Sequence, residues 1–220
     1  MNSKFPYQAV IFDLDGTLID SAPSILASFE SALKRAGVQP LVPFTNSLIG
    51  PPLRQTLSNL TGITNDAELN TLVGYFKDSY DSEGYKSTRV YDGVEYILAP
   101  LSEKMIPMAI ATNKRKVPTN KILDLLGWSS YFEIIGTLDS ITPPYPDKAT
   151  LIGALLDEMS LDTSMTLYVG DKREDGVAAD MHSMSFIAAG WGYEDWGEIK
   201  IHSGWQVDLS PADFVKRFDD

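Results

Sequence analysis

Short apolar runs that alternate with segments of helical spacing along this 220-residue chain predict an α/β protein, an open and mostly parallel sheet with helices on both faces. Two further observations shape that expectation. Residues 38–88 carry helical spacings but no strand-like run, so a small helical unit interrupts the alternation after the first strand. Three of the apolar runs stop abruptly at oxygen-bearing residues, which is how the strands of a parallel sheet present a ligand site at their carboxyl ends. The length agrees, being too great for a minimal domain and too small for two of about 150 residues each.

The first strand is Ala9-Val10-Ile11-Phe12, apolar at every position as a strand covered on both faces must be, and it ends at Asp13-Leu14-Asp15-Gly16-Thr17. Residues 21–36 change to helical spacing, with Ile25, Phe29, Ala32, Leu33 and Ala36 on one stripe, Pro23 in the first turn and Gly37 just past the end. Gly50-Pro51-Pro52 opens a second helical stretch through Leu53, Leu57 and Leu60. Residues 66–80 carry Leu69, Leu72, Val73, Phe76 and Tyr80 at the same spacing. Hinges are expected at residues 20–24 and 87–92, which divides the chain into a core of residues 1–20 and 88–220 and a helical cap domain of residues 21–87. Past the second hinge, residues 94–101 read as a helix, 105–111 as a buried strand and 117–126 as a helix ended by Gly127. Residues 132–135 read as a strand, 148–159 as a helix, 165–169 as a strand, and 185–188 as the last core strand. This is the order of a Rossmann-like, doubly wound parallel sheet core.

Hydrophobic residues make up 44% of the chain and charged residues 22%, enough to bury a core and too apolar for disorder as the main state. Eighteen Lys and Arg against 30 Asp and Glu leave a net charge of −12, a field that repels nucleic-acid phosphates and anionic lipid surfaces alike. Neither nucleic acid nor membrane is an expected partner. A small anionic substrate is repelled too, unless a bound cation or local basic residues reverse the field at its site. Without cysteine there is no disulfide, no thiolate zinc site and no cysteine nucleophile, and a cytoplasmic location is expected. The opening residues read as neither signal peptide nor membrane anchor, because Asp13 and Asp15 interrupt their short apolar run.

The chemistry lies in the residues just past the end of each strand. Asp13-x-Asp15 ends the first, Thr112-Asn113 comes after the 105–111 strand, and Gly170-Asp171, with Asp175 close behind, ends the 165–169 strand. Taken singly, each has an ordinary explanation as a turn or a helix cap. The string D-x-D-G-T fixes four residue types, however, and a chance match is on the order of one in 10⁵ per window. Carboxylates converging from neighbouring strands make an oxygen-rich pocket that suits hard, oxygen-ligated Mg²⁺.

In these residues the chain resembles the haloacid dehalogenase superfamily. FDLDGTLIDS at residues 12–21, ATN at 111–113, Lys148 and VGDKREDGVAA at 169–179 are similar to its four ordered signatures. FIAAGWGY at residues 186–193 is similar to the segment after the last core strand in its phosphoglycolate-phosphatase-like branch. The resemblance spans nearly the whole chain and includes a helical cap where the insertion falls. It implies that Asp13 is the nucleophile that becomes an aspartyl phosphate, and that Asp15 is first the general acid and then the base. It implies that Thr112 and Asn113 hold the phosphoryl oxygens while Lys148 neutralises their charge and restrains Asp13. It also implies Mg²⁺ bound by Asp13, the Asp15 carbonyl and Asp171, with Asp175 in support. Lys172, Ala149 and Ser183 depart from the common pattern of Ser or Thr, Pro and Gly, and none of these changes removes a reacting group.

The cap is expected to exclude water and contact the leaving group. Gly50 and Arg54 lie in a segment similar to the family's substrate-facing loop, where Arg54 could pair with a carboxylate or a second phosphate. Tyr75, Phe76 and Tyr80 are expected in the cap's own core, and His182 and His202 as structural or surface residues. The resemblance thus implies a Mg²⁺-dependent phosphatase, a monomer or homodimer, acting on a small phosphate ester: phosphoglycolate, a nucleoside monophosphate or a sugar phosphate. A phosphomutase of β-phosphoglucomutase type and a non-catalytic metal-binding regulatory protein stand as the alternatives.

Overall fold

The computed structural model describes residues 5–197 and 204–218. In chain order its elements are β1 (Ala9–Phe12), β2 (Ile19–Asp20), α1 (Ala22–Ala36), α2 (Leu53–Thr61), α3 (Asp66–Tyr80), β3 (Arg89–Val90), α4 (Glu95–Glu103) and β4 (Met108–Thr112). They continue with α5 (Lys116–Leu126), β5 (Ile134–Thr137), α6 (Lys148–Glu158), β6 (Thr166–Gly170), α7 (Arg173–Met181), β7 (Ser185–Ala189), β8 (Gln206–Asp208) and α8 (Pro211–Phe218).

Six strands form one parallel sheet in the order β5-β4-β1-β6-β7-β8. Every residue of β1, β4 and β6 is buried, which is why these runs are apolar on both faces instead of alternating. Successive side chains of β1 still point to opposite sides. Val10 and Phe12 pack with Leu98 of α4, Ile122 of α5 and Phe214 of α8. Ile11 packs with Ile152 and Leu155 of α6 and Ala179 of α7. The expected doubly wound α/β core is therefore present, with its helices sorted to two faces by the period-2 geometry of the strands.

Helices α1–α3 enclose a third core, which includes Phe29, Leu33, Leu57, Leu60, Leu72, Phe76 and Tyr80. The helix ends are set by local chemistry. Gly37, at φ 68°, closes α1 by donating its N–H to the Leu33 and Lys34 carbonyls, and the Asn65 side chain caps α3 by accepting from the N–H groups of Ala67 and Glu68. Where the chain leaves for these helices and returns from them, β2 and β3 pair antiparallel, with Ile19 opposite Val90 and Asp20 opposite Arg89.

Three details differ from the expectation. The 105–111 strand begins at Met108, because Pro107 has no N–H for the ladder and Met105 is an exposed turn residue at φ 54°. The 132–135 strand is displaced to β5, because a turn from Tyr131 N–H to the Trp128 carbonyl delays contact with β4 until Glu133 donates to Met108. The apolar pattern assigns nothing beyond residue 188, yet β8 and α8 lie there. β8 is only three residues long, and its buried Asp208 is paired with Arg217 of α8, so this end of the sheet is closed by an ion pair that periodicity does not reveal. His182 is structural, as expected, with Nε2 hydrogen-bonded to the Ala149 carbonyl, whereas His202 lies outside the described residues.

Candidate active site

The sheet order places β4, β1 and β6 side by side, so the residues just past them share one edge. Asp13 N–H donates to the Val169 carbonyl at 2.8 Å, which carries the ladder one residue past β1 and fixes where the side chain emerges. Thr112 is the last residue of β4, and Asp171 comes directly after β6. Asp175 arrives from the first turn of α7, and Lys148 is the first residue of α6. All of these are buried.

Asp13, Asp171 and Asp175 each offer a carboxylate oxygen within 4.8 Å of the others. Lys148 Nζ bonds Asp175 Oδ1 at 2.6 Å and lies 3.1 Å from Asp13 Oδ1. Tyr168 donates its hydroxyl to Asp175 Oδ1 at 3.1 Å, and Lys172 N–H donates to Asp175 Oδ2 at 2.9 Å. Asp171 Oδ2 accepts from Tyr193 N–H at 2.9 Å, while Asp171 Oδ1 is buried with no hydrogen-bond donor among the described residues. Glycine is required around it. Gly16, at φ 86°, and Gly192 both pass so close to Asp171 that a Cβ on either would collide with that side chain.

Three buried carboxylates face one ammonium, and the imbalance shows in the proton affinities of Asp13 and Asp171. Burial pushes the Asp13 carboxyl up to about 6 against the pull of Lys148, with Asp175 and Asp15 adding to the rise. Burial, then Asp175 and Asp13, raises Asp171 well above the ordinary carboxylate value. For Lys148, burial works against the charged form, but Asp13 and Asp175 outweigh it and hold the pKa above that of a free lysine. An all-oxygen donor set with excess negative charge and an orphaned Asp171 oxygen fits a hard divalent cation such as Mg²⁺.

Asp15 belongs to a different group. Its carboxylate accepts from Lys114 Nζ at 2.9 and 3.1 Å and from the Ser21 hydroxyl, so its side chain is no part of the three-carboxylate cluster, and only its backbone carbonyl remains for a metal role. Lys114 in turn donates to the Tyr80 hydroxyl at 2.8 Å. From the sequence Tyr80 is expected only as a residue of the helical core, and Lys114 is not singled out. Lys114 stands directly after Thr112-Asn113, and that adjacency was the one signal that could have found it.

The remaining candidates divide. Asn113 Nδ2 donates to the Gly50 carbonyl at 3.0 Å, which brings these two together across the cleft between the sheet edge and the helices, and Gly50 sits at φ 115°. Arg54 is not brought to the site. It pairs with Asp66 and donates to Asn70 Oδ1 at 2.7 Å, tying α2 to α3, because both partners lie on the adjoining helix. The Lys172 ammonium also stays off the carboxylate cluster, lying over the Tyr193 ring and 4.0 Å from Glu194. Phe76 and Tyr80 stack at 5.5 Å inside the helical core, as expected.

Two spaces adjoin the site. A small cavity of about 60 Å³ is walled by Asp15, Lys114, Tyr80, Ile49, Phe29 and Phe76. An open cleft of about 680 Å³ runs past Gly50, Asn113, Lys148, Lys172 and Glu194. Among the described residues no helix is long and apolar enough to cross a membrane.

Known proteins with this architecture agree with the motifs. Tyrosine-protein kinase PtkA of Mycobacterium tuberculosis is 33% identical over 187 residues, which are 84% of this chain and 63% of that relative, so the chain spans just under two thirds of its length. A phosphoglycolate phosphatase of Neisseria meningitidis is 33% identical over 203 residues, covering 89% of this chain and 86% of that one. The crystal structure of a predicted phosphatase from Clostridium acetobutylicum superposes with a TM-score of 0.84 at 25% identity, covering 96% of this chain and 97% of the other. The family profile described as haloacid dehalogenase-like hydrolase matches residues 10–189, which bears out the resemblance read from the motifs. The chain belongs to the haloacid dehalogenase-like hydrolases.

Proposed function

We propose that this protein is a Mg²⁺-dependent phosphatase that hydrolyses a small phosphate monoester through an aspartyl phosphate on Asp13, with residues 21–87 acting as a cap over the strand ends. The observation that carries this reading is the separation of two adjacent carboxylates into different settings. Asp13 stands in the Lys148–Asp171–Asp175 cluster and Asp15 on Lys114 and Ser21.

An Asp13 carboxylate oxygen attacks phosphorus, the ester P–O bond breaks, and Asp15 gives its proton to the departing alkoxide. Asp15 then takes a proton from water, which attacks the aspartyl phosphate, releasing inorganic phosphate and regenerating Asp13. Thr112 Oγ1 already accepts the Lys114 N–H at 3.2 Å, so its own O–H is directed to another acceptor, a phosphoryl oxygen. Lys148 neutralises charge on the transferring group and restrains Asp13. Asp13, Asp171 and the Asp15 carbonyl would hold Mg²⁺, supported by Asp175, and the bound ion supplies the positive charge that an acidic chain needs to receive a phosphate.

The cavity beside Asp15 supports a small leaving group. At about 60 Å³ it is far smaller than the outer cleft of about 680 Å³, which favours a leaving group of a few heavy atoms over a nucleoside or a sugar. Phosphoglycolate is therefore the first candidate, in line with the phosphoglycolate phosphatase relatives, followed by nucleoside monophosphates and sugar phosphates, which need the outer cleft as well. The two cations on the small cavity, Lys114 and Arg115, are both engaged by carboxylates, Asp15 and Asp81, which favours hydrolysis over a mutase that must seat a second phosphate there. Lack of cysteine accords with a reducing compartment such as the cytoplasm.

The test is phosphate release from a panel of these esters with Mg²⁺ or EDTA, on wild type and Asp13→Asn. Metal-dependent release that disappears in the variant is the expected result. Release that survives Asp13→Asn would falsify the nucleophile assignment.

A further inference from the structure

We propose that Lys114 is a positioning residue for Asp15 and is itself held by Tyr80 of α3, so that the aim of Asp15 depends on how the helical unit is seated. The inference rests on the phosphatase reading above. Three consecutive residues leave the end of β4 and bond to that unit: Asn113 to the Gly50 carbonyl, Lys114 to the Tyr80 hydroxyl, and Arg115 to the Asp81 carboxylate. Lys114 is the one among them that also hydrogen-bonds a catalytic carboxylate.

Its side chain is only 4% exposed. An ammonium this deeply buried persists only if its charge and its N–H groups are answered, and here Asp15 answers the charge while Asp15 and Tyr80 take the hydrogen bonds. The constraint runs the other way too. Asp15 is gripped by Lys114 on both oxygens and by Ser21 on one, which restricts a side-chain torsion that is broad when free. Tyr80 has no freedom to release Lys114, being 1% exposed and stacked on Phe76. Phe76, Tyr80, Lys114 and Asp15 thus form a continuous line from the core of the helical unit to the group that must meet the leaving oxygen, and small errors of placement there cost rate steeply. Lys114 stands to Asp15 as Lys148 stands to Asp13.

The experiment compares kcat/KM, which reports steps up to departure of the leaving group, for acetyl phosphate, ethyl phosphate and phosphoglycolate with Mg²⁺. The proteins are wild type, Lys114→Met and Tyr80→Phe, with melting temperatures recorded for each. Acetate leaves without a proton, whereas an alkoxide needs one. Lys114→Met is expected to lower kcat/KM for ethyl phosphate about a hundredfold more than for acetyl phosphate, through kcat and not KM. Tyr80→Phe is expected to move the same ratio in the same direction by about tenfold. Equal losses for both esters overturn the inference and leave Lys114 a structural residue. A loss confined to phosphoglycolate and seen in KM overturns it in favour of a substrate-anion site. If Lys114→Met does not fold, Tyr80→Phe decides, and an unchanged ratio overturns the inference. Wild type that hydrolyses the two monoesters while both variants leave the ratio unchanged overturns the inference only, whereas wild type that releases no phosphate from either monoester overturns the phosphatase reading and the inference with it.

Discussion

Asp13 and Asp15 leave the same strand two residues apart and end on different lysines: Lys148 Nζ lies 3.1 Å from Asp13 Oδ1, and Lys114 Nζ bonds Asp15 at 2.9 and 3.1 Å. Two neighbouring carboxylates that are both buried raise one another's proton affinity unless each has its own compensation. Separate ammonium partners let one carboxylate serve as nucleophile while the other handles protons.

Asp13→Asn should raise the melting temperature of the protein in EDTA by about 2–4 °C, the shift expected for about 1 kcal/mol in a chain of this size. Burial already disfavours the Asp13 charge, and Lys148 keeps Asp175 as a partner when that charge is removed. Thermal unfolding in EDTA decides the matter. A lower melting temperature would mean that the Asp13–Lys148 ion pair is stabilising on balance.

The stabilisation given by Mg²⁺ should grow as pH rises from about 4 through about 6. Without metal the folded protein holds the Asp13 proton up to about pH 6, whereas the unfolded chain releases it near 3.8. The contribution of this group to stability is therefore fully present below the unfolded value and is lost as pH rises through the folded one. A cation must displace that proton, so its binding strengthens over the same window. Melting curves with Mg²⁺ and with EDTA from pH 4.5 to 8 test this, and a Mg²⁺ increment that does not vary with pH would count against Asp13 as a ligand.

Gly16→Ala should weaken both fold and metal binding. The residue sits at φ 86°, where a side chain is strained by about 1–3 kcal/mol, and its new Cβ would collide with the Asp171 carboxylate. Urea unfolding should show a loss of at least that size, and Mg²⁺ titration a weaker affinity. Unchanged Mg²⁺ affinity would separate Asp171 from the metal.

Arg54→Ala should leave kcat/KM for phosphoglycolate within about twofold and stability within about 1 kcal/mol, the ceiling for most exposed ion pairs. Its partner Asp66 is 89% exposed at the side chain, and the pair ties α2 to α3 away from the strand ends. A selective rise in KM for carboxylate-bearing esters would restore the substrate-facing role suggested by its place beside Gly50.

Legibility in the sequence tracked the range of the interaction. β1, β4 and β6 were readable because full burial on both faces demands unbroken apolar runs, and α1 and α5 because Gly37 and Gly127 close them locally. β8 was not, since three residues at a sheet edge are too few to establish a period. Asp13, Asp15 and Asp171 were readable because each stands at the end of a strand, and a parallel sheet brings such ends together whatever the loops do.

By itself, then, the sequence determined the α/β layering, the helical insertion and the set of carboxylates at the strand ends, all of which come from apolar periodicity and short spacings along the chain. Only the tertiary structure decided which partner each of those carboxylates takes. The Lys114–Asp15 pair joins residues 99 apart, and the Lys114–Tyr80 pair joins residues 34 apart. The same packing turned Arg54 onto Asp66. Such pairings depend on how the loop after β4 meets the loop after β1 and the end of α3, a relationship fixed by packing three separate elements and carried by no local pattern.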